Sequence, residues 1–243
     1  TINNIPSNTL YSWGVPVSSP SGVVTGGSSG TLLNAIGQQL INTSSNSAIL
    51  TYSVTPIADG CTGIPFSVSV TVNPIPVANS ISLPAICSGS SFDYTPVGIQ
   101  NNTIYAWGNA IVSPTSSVTG ALAEAGRSSI GQTLTNITNV ASSVVYTVTP
   151  SANGCTGNNF TVTVPVNPRA VISTVNSAVC SGNSFSVAPS PVPVGTTYTW
   201  ATPNIVPNGT VAGALAQSAP VTSVSQFVTN TTNTPVQAQY TVT

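Results

Sequence analysis

The chain has 243 residues with two cations, three acids and no His, for a formal net charge of −1. Its 2% charged content compares with roughly 25% in ordinary domains, and two arginines, Arg127 and Arg169, cannot neutralise a phosphate backbone or hold an anionic bilayer surface. That excludes nucleic acid and membrane surfaces as partners, while the 40% hydrophobic content excludes a disordered chain.

In chain order, the first landmarks are Tyr11-Ser12-Trp13, Leu40-Ile41-Asn42, Tyr52-Ser53-Val54-Thr55-Pro56, Gly60-Cys61-Thr62-Gly63 and Val72-Asn73-Pro74. They return as Tyr105-Ala106-Trp107, Leu134-Thr135-Asn136, Tyr146-Thr147-Val148-Thr149-Pro150, Gly154-Cys155-Thr156-Gly157 and Val166-Asn167-Pro168. A third series holds Tyr198-Thr199-Trp200, Val228-Thr229-Asn230 and Tyr240-Thr241-Val242-Thr243. Cys87-Ser88-Gly89 is matched by Cys180-Ser181-Gly182, and the tryptophan spacings are 94 and 93 residues. Solenoid units repeat every 20–50 residues, so this period fits an independently cored sandwich of about 100 residues. The expected division is a partial repeat over 1–74 without its first strands, a complete one over 75–168, and a partial one over 169–243 without its last strand. Both ends are expected to cut through a longer polypeptide.

Within the complete repeat, period-two alternation predicts strands near 79–86, 91–96, 103–109, 115–120, 129–137, 143–149 and 159–166. The stretch from Gly120 to Gly126 reads as a bent strand or one helical turn. Trp107, two residues from Tyr105 and on the same face, is the expected anchor of a central strand. Trp13, Trp200, Tyr52, Tyr146 and Tyr240 take the corresponding core positions. The fold class is all-β: tandem immunoglobulin-like sandwiches arranged as a rod. Pro74, Pro76 and Pro168 fall in the linkers, where fixed φ values predict short, stiff joints.

Four cysteines, Cys61, Cys87, Cys155 and Cys180, lack zinc-ligand spacing and have no His to assist. A β-rich secreted chain favours disulfides, and two schemes stay open. Cys87 could close on Cys155 within one repeat. Alternatively, each could bond a cysteine of a neighbouring repeat across a joint, because the turn carrying Cys87 and the hairpin carrying Cys155 are expected at opposite ends of one sandwich.

Catalysis needs a His, a Lys or paired carboxylates near a nucleophile. Here His and Lys are absent, and Asp59, Asp93 and Glu124 occupy non-equivalent positions in their repeats. No enzyme, cofactor or metal site is expected. Six Asn-x-Ser/Thr triplets begin at Asn42, Asn101, Asn136, Asn159, Asn208 and Asn230. Composition alone accounts for them, and they are not read as glycosylation sites.

The ordered set of Cys-Ser-Gly, Tyr-x-Trp, Leu-x-Asn, Tyr-Thr-Val-Thr-Pro, Gly-Cys-Thr-Gly, Phe-Thr-Val-Thr-Val and Val-Asn-Pro resembles the PKD-like repeats of Bacteroidota. Those repeats occur in tandem in giant cell-surface gliding-motility adhesins exported by the type IX secretion system. The resemblance implies an extracellular filament associated with the outer membrane, with its gliding and secretion machinery as a partner. Further expected partners are neighbouring repeats of the same chain and surface polysaccharide or the substratum. Two other readings are spacer repeats of a secreted hydrolase or carbohydrate-binding protein, and a subunit of a self-assembling surface fibre.

Overall fold

In the computed structural model, which describes residues 5–243, every helix or strand is a β-strand. The longest strand of the central unit, Ser142–Ala152, shows how the sequence sets this. Its residues Ser142, Val144, Tyr146, Val148, Pro150 and Ala152 are all buried, while those between them are partly or fully exposed. This two-residue period is the signature of a strand with one face on a core.

Phe160–Asn167 pairs along one edge of that strand, and Ile104–Trp107 and Ile111–Ser113 along the other. Glu124–Arg127 lies beyond Ile104–Trp107, and two short strands, Ile81–Ser82 and Ile86–Cys87, add to Phe160–Asn167 in parallel. The second layer is Ser90–Tyr94, Ile130–Asn136 and Val118–Thr119. Phe92 and Leu134 from that layer meet Trp107, Tyr146 and Val164 from the first. Each such side chain stabilises the fold by about 1.5–3 kcal/mol when fully buried.

The first unit repeats this plan, with Ala48–Ala58 between Phe66–Val72 and Leu10–Trp13. The third pairs Asn183–Val187 with Val224–Asn230, and Tyr198–Trp200 with Gln217–Val221. One edge separates the units. Phe160 is 3% exposed beneath the parallel strands, whereas its counterpart Phe66 is 45% exposed, with no such strands beside it among the described residues.

Several boundaries differ from the sequence reading. The segment near 79–86 forms two short strands, Ile81–Ser82 and Ile86–Cys87, separated by Pro84, which lacks the donor for a continuous ladder. Ser142–Ala152 runs past Pro150, which pairs with Tyr105. Its missing N–H faces the side where Phe160–Asn167 has already ended, so no ladder carbonyl is left waiting. The hairpin beyond turns on Asn153 (φ 50°) and Gly154 (φ 80°), the left-handed pair of a tight two-residue turn.

The stretch from Gly120 to Gly126 forms no helical turn. Val118–Thr119 belongs to the second layer and Glu124–Arg127 to the first, so the chain crosses between sheets at Gly120, whose φ is +91°. A Cβ there would strike the Thr133 carbonyl. Gly26 and Gly213 make the same crossing in the flanking units, also at positive φ.

Candidate functional site

The polar groups inside each unit form a repeated network. Trp107 Nε1 donates to the Leu122 carbonyl at 3.0 Å, and Gln132 Nε2 donates to the same oxygen at 2.8 Å. Gln132 Oε1 accepts from the Leu122 N–H at 3.1 Å and from the Tyr146 hydroxyl at 2.9 Å. Gln38 joins Trp13 to Tyr52, and Gln226 joins Trp200 to Tyr240, in the same way. Trp13, Trp107 and Trp200 are buried, as are Tyr52 and Tyr146, while Tyr240 is half-buried. Burial holds the Tyr52, Tyr146 and Tyr240 hydroxyls above the usual tyrosine range, because the phenolate would be desolvated. The glutamines are absent from the sequence reading. Their constant position ahead of Asn42, Asn136 and Asn230 is the signal that could have found them.

A second clamp uses the Asn of the Leu-x-Asn motif. Asn136 Nδ2 donates to the Val140 and Val166 carbonyls at 2.8 and 2.9 Å, and Oδ1 accepts from the Thr138 N–H and hydroxyl at 2.9 and 2.8 Å. All hydrogen-bonding capacity of this buried amide is thereby used. Asn42 does the same with Asn46, Val72 and Ser44. Asn230 repeats the turn with Thr232 and Thr234.

Between the first and central units, Asn73 reaches both ways. Its Oδ1 accepts from the Ser47 hydroxyl at 2.7 Å, and its Nδ2 donates to the Asn153 carbonyl at 3.0 Å. Pro74 and Pro76 are buried here, and Gly157 packs so closely on the Pro76 carbonyl that a Cβ could not fit. A cleft of about 450 Å³ opens beside this joint, bounded by Leu40 and Asn42 on one side and Ile99 and Gln100 on the other. Pro168, in the next linker, is half-buried, and the residues from Arg169 to Cys180 are exposed.

All four cysteines are free thiols: Cys61, Cys87 and Cys180 are exposed, and Cys155 is half-buried. The geometry corrects one of the two pairing schemes. Cys87 is in register with Asn167, next to the pairing of Val166 with Ser142, whereas Cys155 is in register with Ala152. Those levels are the two ends of Ser142–Ala152, about 30 Å apart at the usual strand rise. A disulfide requires Cα atoms within about 7 Å, so Cys87 and Cys155 of one unit cannot bond.

The sequence-predicted site residues therefore divide into interior anchors, joint prolines and end-of-unit thiols. No group of three or more His, Cys, Asp or Glu side chains could hold a metal among the described residues. Glu124 and Arg127 approach to 3.8 Å at the surface, a contact of small energetic consequence.

The fold and repeated network define a class: tandem immunoglobulin-like sandwich modules. A family model for the PKD-like domain matches residues 3–76 and again 84–170, and the chain belongs to that family. Among solved structures, the chain is similar to the FN1–FN3 domains of chicken CNTN1, at 14% identity over 97% of this chain and 82% of that one, with a TM-score of 0.34. Comparison with curated proteins found no match.

Proposed function

We propose that this chain is the structural and adhesive repeat region of a large extracellular surface filament of the gliding-motility or attachment kind. The joint around Asn73 carries the reading: two linker prolines are buried and the central unit's hairpin closes on them. Such a joint favours a stiff rod of sandwiches over a flexible string. Family membership supports the extracellular setting, since PKD-like domains are typical of extracellular proteins. No helix is long and apolar enough to cross a membrane among the described residues. Titratable side chains are too few and too scattered to build an active site.

In this role the work is reach and multiplied weak contact, with avidity supplied by repetition. The partners are neighbouring repeats, surface polysaccharide or the substratum, and the outer-membrane machinery that exports and moves the filament. The test is immunogold labelling of whole cells with an antibody to residues 75–168, together with in-frame removal of the region. Label along filaments, and shorter filaments with weaker attachment after removal, are expected. Label confined to a soluble secreted hydrolase would replace this reading with the spacer one.

A further inference from the structure

Each complete unit holds one cysteine at either end, and the joint between units brings opposite ends together. In the central unit, Cys87 lies in parallel register with Asn167, and the next residue, Ser88, donates its N–H to the Asn167 carbonyl at 2.8 Å. Asn73 is the same position one repeat earlier, in Val72-Asn73-Pro74 against Val166-Asn167-Pro168. The Asn73 carbonyl lies 3.9 Å from Cys155 Sγ. A Cys-Ser-Gly turn seated on Phe66–Val72 as Cys87 is seated on Phe160–Asn167 would therefore set its thiol beside Cys155.

A second feature agrees with this. Cys61, the counterpart of Cys155, lines a cleft of about 380 Å³ with Pro56 and Gly63. In the central unit the equivalent Gly157, packed beside Pro150, closes on the linker at Pro76. The cleft on the first unit thus has the lining that a linker meets in the central unit, with a cysteine at its rim.

We propose that the Cys-Ser-Gly cysteine of one repeat and the Gly-Cys-Thr-Gly cysteine of the next are a disulfide-forming pair that staples the joint. Cys87 and Cys180 are the donors to following repeats, and Cys61 and Cys155 the acceptors for preceding ones. The oxidant is a small-molecule or protein disulfide. One thiolate attacks it, forming a mixed disulfide and releasing one reduced thiol. The facing cysteine's thiolate then attacks the protein sulfur, releasing the second reduced thiol. Two thiols lose two protons and two electrons, and the oxidant is reduced by the same amount. The proposed surface role supplies only the oxidising setting, and the pairing rests on the joint itself.

The test lengthens the full chain with its own central repeat: a copy of residues 77–94 ahead of Thr1 and a copy of residues 150–168 after Thr243, both in repeat register. The chain is incubated with oxidised glutathione, unreacted thiols are alkylated, and peptides are mapped by mass spectrometry without reduction. The added N-terminal cysteine should be linked to Cys155, and Cys87 to the added C-terminal one. A folded chain whose four joint cysteines are alkylated, or linked in other pairs, overturns the proposal.

A second experiment uses the chain unaltered. A peptide copying residues 77–94, its cysteine activated as the thionitrobenzoate disulfide, should label Cys155 at least tenfold faster than it labels Cys87 or Cys180, although those two are the more exposed. Equal labelling of the three overturns the proposal. Both assays run on purified protein, so a failed cross-link leaves the surface-filament reading standing, and mislocalisation in cells leaves the cross-link standing.

Discussion

Single residues in this fold are judged against their counterparts in the other repeats. Ser142 is buried with no hydrogen-bond partner for its hydroxyl among the described residues, and the equivalent Ala48 is buried without that burden. An unsatisfied buried hydroxyl costs about 1–3 kcal/mol, so Ser142→Ala should raise stability by about 1 kcal/mol, read as a higher midpoint in urea. Tyr146 supplies a pH dependence. Its folded pKa lies above the unfolded value because burial disfavours the phenolate. Its contribution is fully present below about pH 10, the unfolded tyrosine value. As pH rises further the unfolded chain ionises first, and stability falls towards the folded pKa. Urea titrations between pH 8 and 11.5 should show this decline (pH values set about the tyrosine range), and Tyr146→Phe should make it shallower, with Tyr52, Tyr105 and Tyr240 supplying the remainder.

At the scale of elements, the glycine crossings decide whether the two layers can share one chain. Gly120 has φ +91° and its missing side chain makes room for the Thr133 carbonyl. Gly120→Ala adds both backbone strain of about 1–3 kcal/mol and a steric clash. It should lower the thermal midpoint far more than alanine at Gly108, where nothing lies within 4 Å of a Cβ. These elements were unevenly legible in the sequence. Tyr146 and Val148 alternate with Thr147 and Thr149, so the strand was plain, and the tryptophans marked its neighbour in the same sheet. Gly120 to Gly126 was ambiguous because a sheet-to-sheet crossing has no period of its own. The glutamines escaped notice because a polar residue in or beside a strand reads as solvent-facing until its partners are placed around it. Cys87 and Cys155 could be assigned to opposite ends from strand order alone, but the part Asn73 plays in joining two units needed the fold.

For the whole molecule, the contrast between the two joints matters most. Arg127 sits in a strand paired with Tyr105, whereas Arg169 is exposed in the run between Asn167 and Asn183, where no strand is formed. Trypsin has only these two sites. Limited digestion should cut first after Arg169, giving fragments 1–169 and 170–243 by mass spectrometry, with cleavage at Arg127 delayed until the central unit opens. Should Arg127 be cut first, the central sheet is less firmly paired than its geometry indicates.

The Asn clamp bears on how such a protein can be made. Asn42, Asn136 and Asn230 each open an Asn-x-Ser/Thr triplet, and in all three the asparagine and the downstream hydroxyl are already hydrogen-bonded to each other. In a eukaryotic secretory host, oligosaccharide transfer to the emerging chain would reach these amides before folding. A sugar on Asn136 Nδ2 would take one of its two N–H donors, break its bond to the Val140 or the Val166 carbonyl and force bulk into a buried corner. Production in that compartment should therefore yield misfolded glycoforms, and replacing Thr138, Ser44 and Thr232 to block transfer would itself weaken the corner. A host without that transferase avoids the choice.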